Sequence, residues 1–177
     1  LGTYSLICHP DTPAGAVDSI FAEIERHAEG MWIRFHAELI LENLAVPDPA
    51  EPVRTDGLWR TTCFEAFIRQ SGEGRYAEFN LSPSHQWAAY SFEDYRNGMV
   101  EMKLDGALPI DLDVSADHFA LETLIPLPPG SLEIALSAVI EETDGTKSYW
   151  ALVHPPGQPD FHHPTCFALT LPAPAKE

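Results

Sequence analysis

Positive charge is scarce in this chain. Ten Lys and Arg stand against 27 Asp and Glu among 177 residues, a formal charge of −17 at pH 7. Phosphate backbones and anionic lipid surfaces repel such a field, so neither nucleic acid nor membrane is an expected partner. Long apolar runs are missing too, and none approaches the roughly 20 residues of a membrane-spanning helix. Leu1–Pro10 lacks the basic-then-apolar order of a signal peptide. The expected location is the cytoplasm, or the periplasm or exterior if a leader has been removed. Cysteine is sparse: Cys8, Cys63 and Cys166 are odd in number and widely spaced, which does not suggest a disulfide framework. Cys63 lies in an apolar run with no His or acid at a spacing that indicates a thiolate pair, so it reads as a small buried hydrophobe. There is no internal repeat and no convincing linker. One domain is expected, and 45% hydrophobic residues suffice for a sizeable core.

What is present is alternation at period two, broken by turn residues. Tyr4–Cys8 reads as a first strand, stopped by Pro10 and Asp11-Thr-Pro13. Ile20–His27 and Met31–Leu41 read as a hairpin across Ala28-Glu29-Gly30. Pro47, Pro49 and Pro52 mark a loop from Ala45 to Asp56. Three strand-like runs then follow within Leu58–Phe92, separated by Gln70–Gly74 and Ser82–Ser84, with a turn at Asp94–Gly98. Met99–Leu104 and His118–Ile125 read as strands around an acidic loop, Asp105–Asp117. The apolar run Leu132–Ile140 and the run Ser148–Val153 pair across Asp144-Gly145. After the proline-rich loop His154–Pro164 a last strand covers Cys166–Leu171. Many short strands with Asp-Gly and Asn-Gly turns indicate an all-β, single-domain antiparallel β-sandwich.

Leu58–Phe92 carries the chemistry. Regular strand from Trp59 to Arg69 places Trp59, Thr61, Cys63, Glu65, Phe67 and Arg69 on one side. Glu65 is the odd member, since a carboxylate among apolar neighbours needs a partner: Arg34, Arg69 or Arg96, or else a ligand hydroxyl. In the next run Tyr76, Glu78 and Asn80 share a face opposite Ala77, Phe79 and Leu81. If the register sets Glu65 beside Asn80, one sheet face carries Trp59, Glu65, Tyr76, Glu78 and Asn80. Rings stack on the C–H face of a sugar, and carboxylates and amides hold its hydroxyls. A slip of one residue turns the whole set away. Two acids alone also fit a glycosidase pair, but no further catalytic signature accompanies them, and no enzyme activity is expected.

Metal is the alternative. His154, His162, His163 and Cys166 lie close in sequence, within reach of zinc ligation, but lack the spaced Cys or His pairs of a strong zinc motif. A histidine with Met99 or Met102 can make a haem axial pair by residue type alone. Asp105, Asp111, Asp113 and Asp117 supply calcium-type oxygens without EF-hand spacing, and a solvated loop is the default. A third possibility is an interaction domain whose acidic surface serves a partner protein, with a degenerate ligand site.

Leu58-Trp-Arg-Thr-Thr-Cys-Phe-Glu-Ala-Phe-Ile68, Tyr76-Ala-Glu-Phe-Asn-Leu-Ser-Pro83, Trp87–Phe92 and Tyr149–His162 together resemble the DOMON-like proteins related to family 9 carbohydrate-binding modules. That resemblance implies an immunoglobulin-like or jelly-roll sandwich with a ligand site on one sheet, a carbohydrate or related polar ligand between two tryptophans, and in some members structural calcium or haem. It matches Trp59 and Glu65 to the family's Trp-then-Glu pattern and Trp150 to the second tryptophan of the clamp; together with the sheet-face reading the expected ligand-binding residues are Trp59, Glu65, Tyr76, Glu78, Asn80, Trp87 and Trp150. The expected activity is non-catalytic binding.

Overall fold

Strand-forming runs bounded by turn residues carry nearly the whole chain into extended structure. A computed structural model describes residues 1–173. In chain order the strands are β1 (Gly2–Cys8), β2 (Val17–Arg26), β3 (Met31–Leu39), β4 (Cys63–Gln70), β5 (Tyr76–Leu81) and β6 (Trp87–Phe92). Then come β7 (Val100–Glu101), β8 (Asp111–Val114), β9 (His118–Ile125), β10 (Leu132–Glu141), β11 (Lys147–Ala151) and β12 (Leu169–Leu171). Short 3-10 turns cover Leu41–Asn43, Leu58–Arg60 and Pro164–Cys166. No helix among the described residues is long and apolar enough to cross a membrane.

All named strand pairs are antiparallel and follow one path, β7-β6-β5-β4-β10-β11-β1-β2-β3-β9-β8, with β12 beside β10. The sheet curls on itself. Phe64 of β4 meets Phe35 of β3 at 5.1 Å and stacks on Phe119 of β9 at 5.7 Å, so the two halves of the path face each other across a shared core. Alternation supplies that core: Ile20, Ala22 and Ile24 from β2, Ile33 and Phe35 from β3, and Ile134, Leu136 and Ala138 from β10.

β4 and β10 are buried on both faces, which explains their nearly unbroken apolar composition. Their second face carries a smaller cluster built on Phe67, Tyr76, Tyr90 and Phe92, roofed by Leu58, Phe161, Cys166 and Phe167. Four expected elements differ. Trp59 lies in a 3-10 turn, and β4 begins only at Cys63, because Gly57 adopts a left-handed conformation (φ 80°) that swings the chain out of strand. The acidic loop contains β8, which completes the sheet edge beside β9. Met99–Leu104 contributes only two strand residues, and the last strand is reduced to Leu169–Leu171, after a turn that begins at Pro164.

Candidate functional site

The floor of the site is a grid fixed by strand register. Glu65 pairs with Asn80 on one side and Ser137 on the other. One step along, Phe67 pairs with Glu78, and Glu78 with Tyr90; the next step holds Arg69, Tyr76 and Phe92. In the other direction Cys63 pairs with Val139, and Val139 with Tyr149. Paired residues share a sheet face, so Glu65 and Glu78 rise from the same floor as cross-strand diagonal neighbours. Above them is a cavity of about 390 Å³ lined by Trp59, Glu65, Glu78, Phe92, Arg96, Met99, Val139, Tyr149, Pro159, Phe161 and His162.

Both acids are deeply buried, Glu65 at 3% and Glu78 at 6% exposure. Each has one neutral donor: Ser137 Oγ donates to Glu65 Oε2 at 3.1 Å, and Asn80 Nδ2 to Glu78 Oε1 at 3.0 Å. None of the three arginines weighed as ion-pair partners for Glu65 makes that pair. Arg34 binds Asp113 and Glu122, Arg69 binds Glu133 at 2.6 Å beneath the Phe167 ring, and Arg96 binds Asp160. Burial and then the Glu78 charge push the Glu65 carboxyl up to about 8, against the Ser137 bond and the more distant Arg96. Burial lifts Glu78 to about 7 despite Asn80 and Arg96. Near neutral pH this floor therefore holds proton as well as charge.

His162 faces the acids from the roof. The Tyr76 hydroxyl shares a hydrogen bond of 2.7 Å with His162 Nδ1 and accepts the Arg96 backbone N–H at 3.2 Å. His162 Nε2 lies 3.7 Å from Glu78 Oε2, beyond hydrogen-bond range. Burial, reinforced by Arg96, lowers the His162 pKa to about 4, and the ring is neutral. Asp160 locks this roof. It accepts from Arg96 Nη2 at 2.7 Å, from Arg96 Nε and the His162 backbone N–H at 3.2 Å each, and from the Tyr95 hydroxyl. Burial alone would raise the Asp160 pKa, but the bonds from Tyr95 and Arg96 outweigh it and hold the carboxyl below its usual range. The same contacts keep Arg96 at φ 51°, a left-handed conformation that non-glycine residues seldom adopt.

Of the expected ligand-binding residues, Trp59, Glu65 and Glu78 line the cavity, while Tyr76 and Asn80 stand behind it as hydrogen-bonding supports. Trp59 is 37% exposed and touches Tyr90 edge-on, with ring centroids 6.0 Å apart. Trp150 and Trp87 are corrections. Trp150 pairs with Ala138 on the opposite face and packs in the main core, its indole N–H bonded to Ser148 at 2.9 Å. The preceding residue, Tyr149, points into the cavity instead. Trp87 pairs with Leu81 and is likewise a core residue.

The proposed metal ligands are dispersed. His154 bonds the Ile7 carbonyl at 2.8 Å, His163 caps the 3-10 turn through Thr165, and His162 belongs to the cavity roof. Burial pushes the Cys166 thiol up to about 11 and the Cys63 thiol well above its usual value. Among the described residues no three His, Cys, Asp or Glu side chains converge as a metal site, neither this set nor the aspartates of the acidic loop. Tyr149, Phe161, Phe92 and Arg96 were not singled out as site residues. The visible signal for the first was face alternation next to Trp150, and the other three are placed by turns and pairings that only the folded chain defines.

No protein-family model and no curated protein matches the chain. In fold it is similar to the crystal structure of a candidate carbohydrate-binding protein from Bacteroides uniformis. The TM-score is 0.67 at 12% identity, over 93% of this chain and 83% of that one. At that identity the likeness is one of fold alone, for a chain that is itself all-β with a curled antiparallel sheet.

Proposed function

We propose that the cavity above Glu65 and Glu78 binds a carbohydrate or related polyol without transforming it. One observation carries the reading: an exposed indole, Trp59, faces the same cavity as a floor of buried carboxylates. Rings offer a platform for the C–H face of a pyranose, and the floor accepts from its hydroxyls. Phe161, Tyr149 and Phe92 enlarge the apolar wall, and the His162 ring adds a polar edge. The fold neighbour's description as a candidate carbohydrate-binding protein agrees with the proposal. So does the DOMON-like resemblance, under which the curled sheet is read as a β-sandwich with its ligand site on one face.

Binding without catalysis is part of the same reading. Glycosidic hydrolysis needs two carboxyls flanking the scissile bond, whereas Glu65 and Glu78 approach a ligand from one floor. The test is titration of a panel of mono- and oligosaccharides followed by tryptophan fluorescence. A saturable change that disappears in Trp59→Ala and persists in Trp150→Phe is the expected result. No saturation with any sugar, or an unchanged response in Trp59→Ala, refutes the assignment.

A further inference from the structure

We infer that the ligand carries a free ammonium group, and that the site takes an amino sugar in which the amine sits over Glu65 and Glu78 inside the aromatic wall. This rests on the carbohydrate reading and sharpens it. The floor is rich in acceptors and poor in charge partners. Both acids are bonded only by neutral donors, Ser137 and Asn80, and among the described residues neither forms an ion pair with Lys or Arg. Glu65 Oε1 and Glu78 Oε2 receive no hydrogen bond from the described residues. Buried acceptors and uncompensated carboxylates are costly.

An ammonium supplies both acids at once. It brings three N–H donors and a positive charge, where a sugar hydroxyl brings one donor and no charge. The walls suit it, because aromatic faces attract cations and Trp59, Phe92, Tyr149 and Phe161 all border the cavity. Arg96 acts on the two acids only through space, since its guanidinium bonds Asp160 through Nη2 and Nε and neither glutamate. Counting Glu65, Glu78 and Asp160 against Arg96 leaves the surroundings acidic when the carboxyls are ionised, and the protein's −17 charge steers cations toward it. Burial exceeds the pull of Arg96 on both carboxyls, so they hold proton near neutrality, and a bound ammonium displaces it to solvent.

The experiment is calorimetric titration of the intact protein with glucosamine and its free-amine oligomers, against glucose, cellobiose and the N-acetylated forms. Each is run in two buffers of different ionisation enthalpy. The free amine is expected to bind at least tenfold tighter than the neutral ring of the same length and to release a fraction of a proton per ligand. Its affinity should also rise from pH 5.5 to 7.5, as the carboxyls ionise. Glu78→Gln should cut the amine-to-neutral affinity ratio severalfold, and Glu65→Gln should do the same. Proton release by the unaltered protein keeps the test decisive if either variant fails to fold. Neutral sugars binding as tightly as amines, without proton release, overturn this inference and leave the carbohydrate reading standing. No saturation by any sugar overturns both. An amine preference that both variants retain and that disappears at high salt marks diffuse surface attraction and overturns the inference alone.

Discussion

Replacing Glu65 by Gln removes a charge and keeps the shape, so it isolates the cost of burying this carboxylate. Glu65 is 3% exposed, and burial, then Glu78, raises it from 4.5 to about 8. For an acid with a raised folded pKa, the folded state binds more proton than the unfolded state between the two values. The stability this confers is complete below the unfolded pKa and is lost as pH rises through the folded one. At about 1.4 kcal/mol per unit, the unaltered protein loses on the order of 3–4 kcal/mol between pH 5 and pH 8.5 through this group. Gln loses none of it. The two proteins should therefore have stabilities within about 1 kcal/mol at pH 5, and the variant should lead by about 3 kcal/mol at pH 8.5. The assay is urea unfolding at a series of pH values, with the m-value checked for constancy. Apart from Glu78, whose titration shifts when the Glu65 charge is removed, the other acids titrate in both proteins and largely cancel in the difference. A difference independent of pH, or one that turns against Gln as pH rises, would mean that the folded protein compensates the Glu65 charge, and the argument for an acceptor floor without a cation would fail.

Other perturbations separate floor, roof and core. Trp150→Ala empties a core position only 5% exposed and should cost about 3–5 kcal/mol, read as a lower urea midpoint. Trp59→Ala, at a half-exposed ring with one edge contact, should cost less than about 1 kcal/mol and instead remove the ligand-dependent fluorescence. Asp160→Ala removes the acceptor shared by Tyr95, Arg96 and the His162 backbone. With Arg96 half exposed, the expected loss is about 1–2 kcal/mol, and hydrogen exchange should quicken at His162 and His163 while the β10 amides stay protected. Tyr76→Phe leaves His162 Nδ1 and the Arg96 N–H without their oxygen, and nitrogen NMR should show the single imidazole tautomer give way to a mixture.

Much of the floor was legible in the chain. Period-two alternation in Phe64–Arg69 and Tyr76–Leu81 places Glu65, Glu78 and Asn80 on one side of each strand, and β5 follows β4 through a short turn. The register that sets Glu65 opposite Asn80 was a condition the sequence could state without deciding. Trp59 was assigned to a strand, but Gly57 bends the chain and puts the indole on a turn that overhangs the floor. Trp150 and Tyr149 are adjacent and both aromatic, so composition cannot choose between them; the pairing of β11 with β10 does, through Ala138 on the core face and Val139 on the cavity face. The histidines looked clustered because they are close in sequence, yet each finds a different partner tens of residues away or within its own turn.

What the sequence by itself determined is therefore local. Alternation and turn residues define the strands, their two faces and the acids that one face carries, because side-chain direction in a strand repeats every two residues. The tertiary structure alone decided whether those acids have a partner and what surrounds them. Arg96, Phe161 and His162 arrive from turns and loops, Tyr149 arrives by register, and the arginines weighed as partners of Glu65 bond other acids. Those outcomes depend on contacts between residues distant in sequence, which no local period encodes. The buried acid pair becomes a candidate site only when the curled sheet, the 94–98 turn and the 154–163 loop close around it.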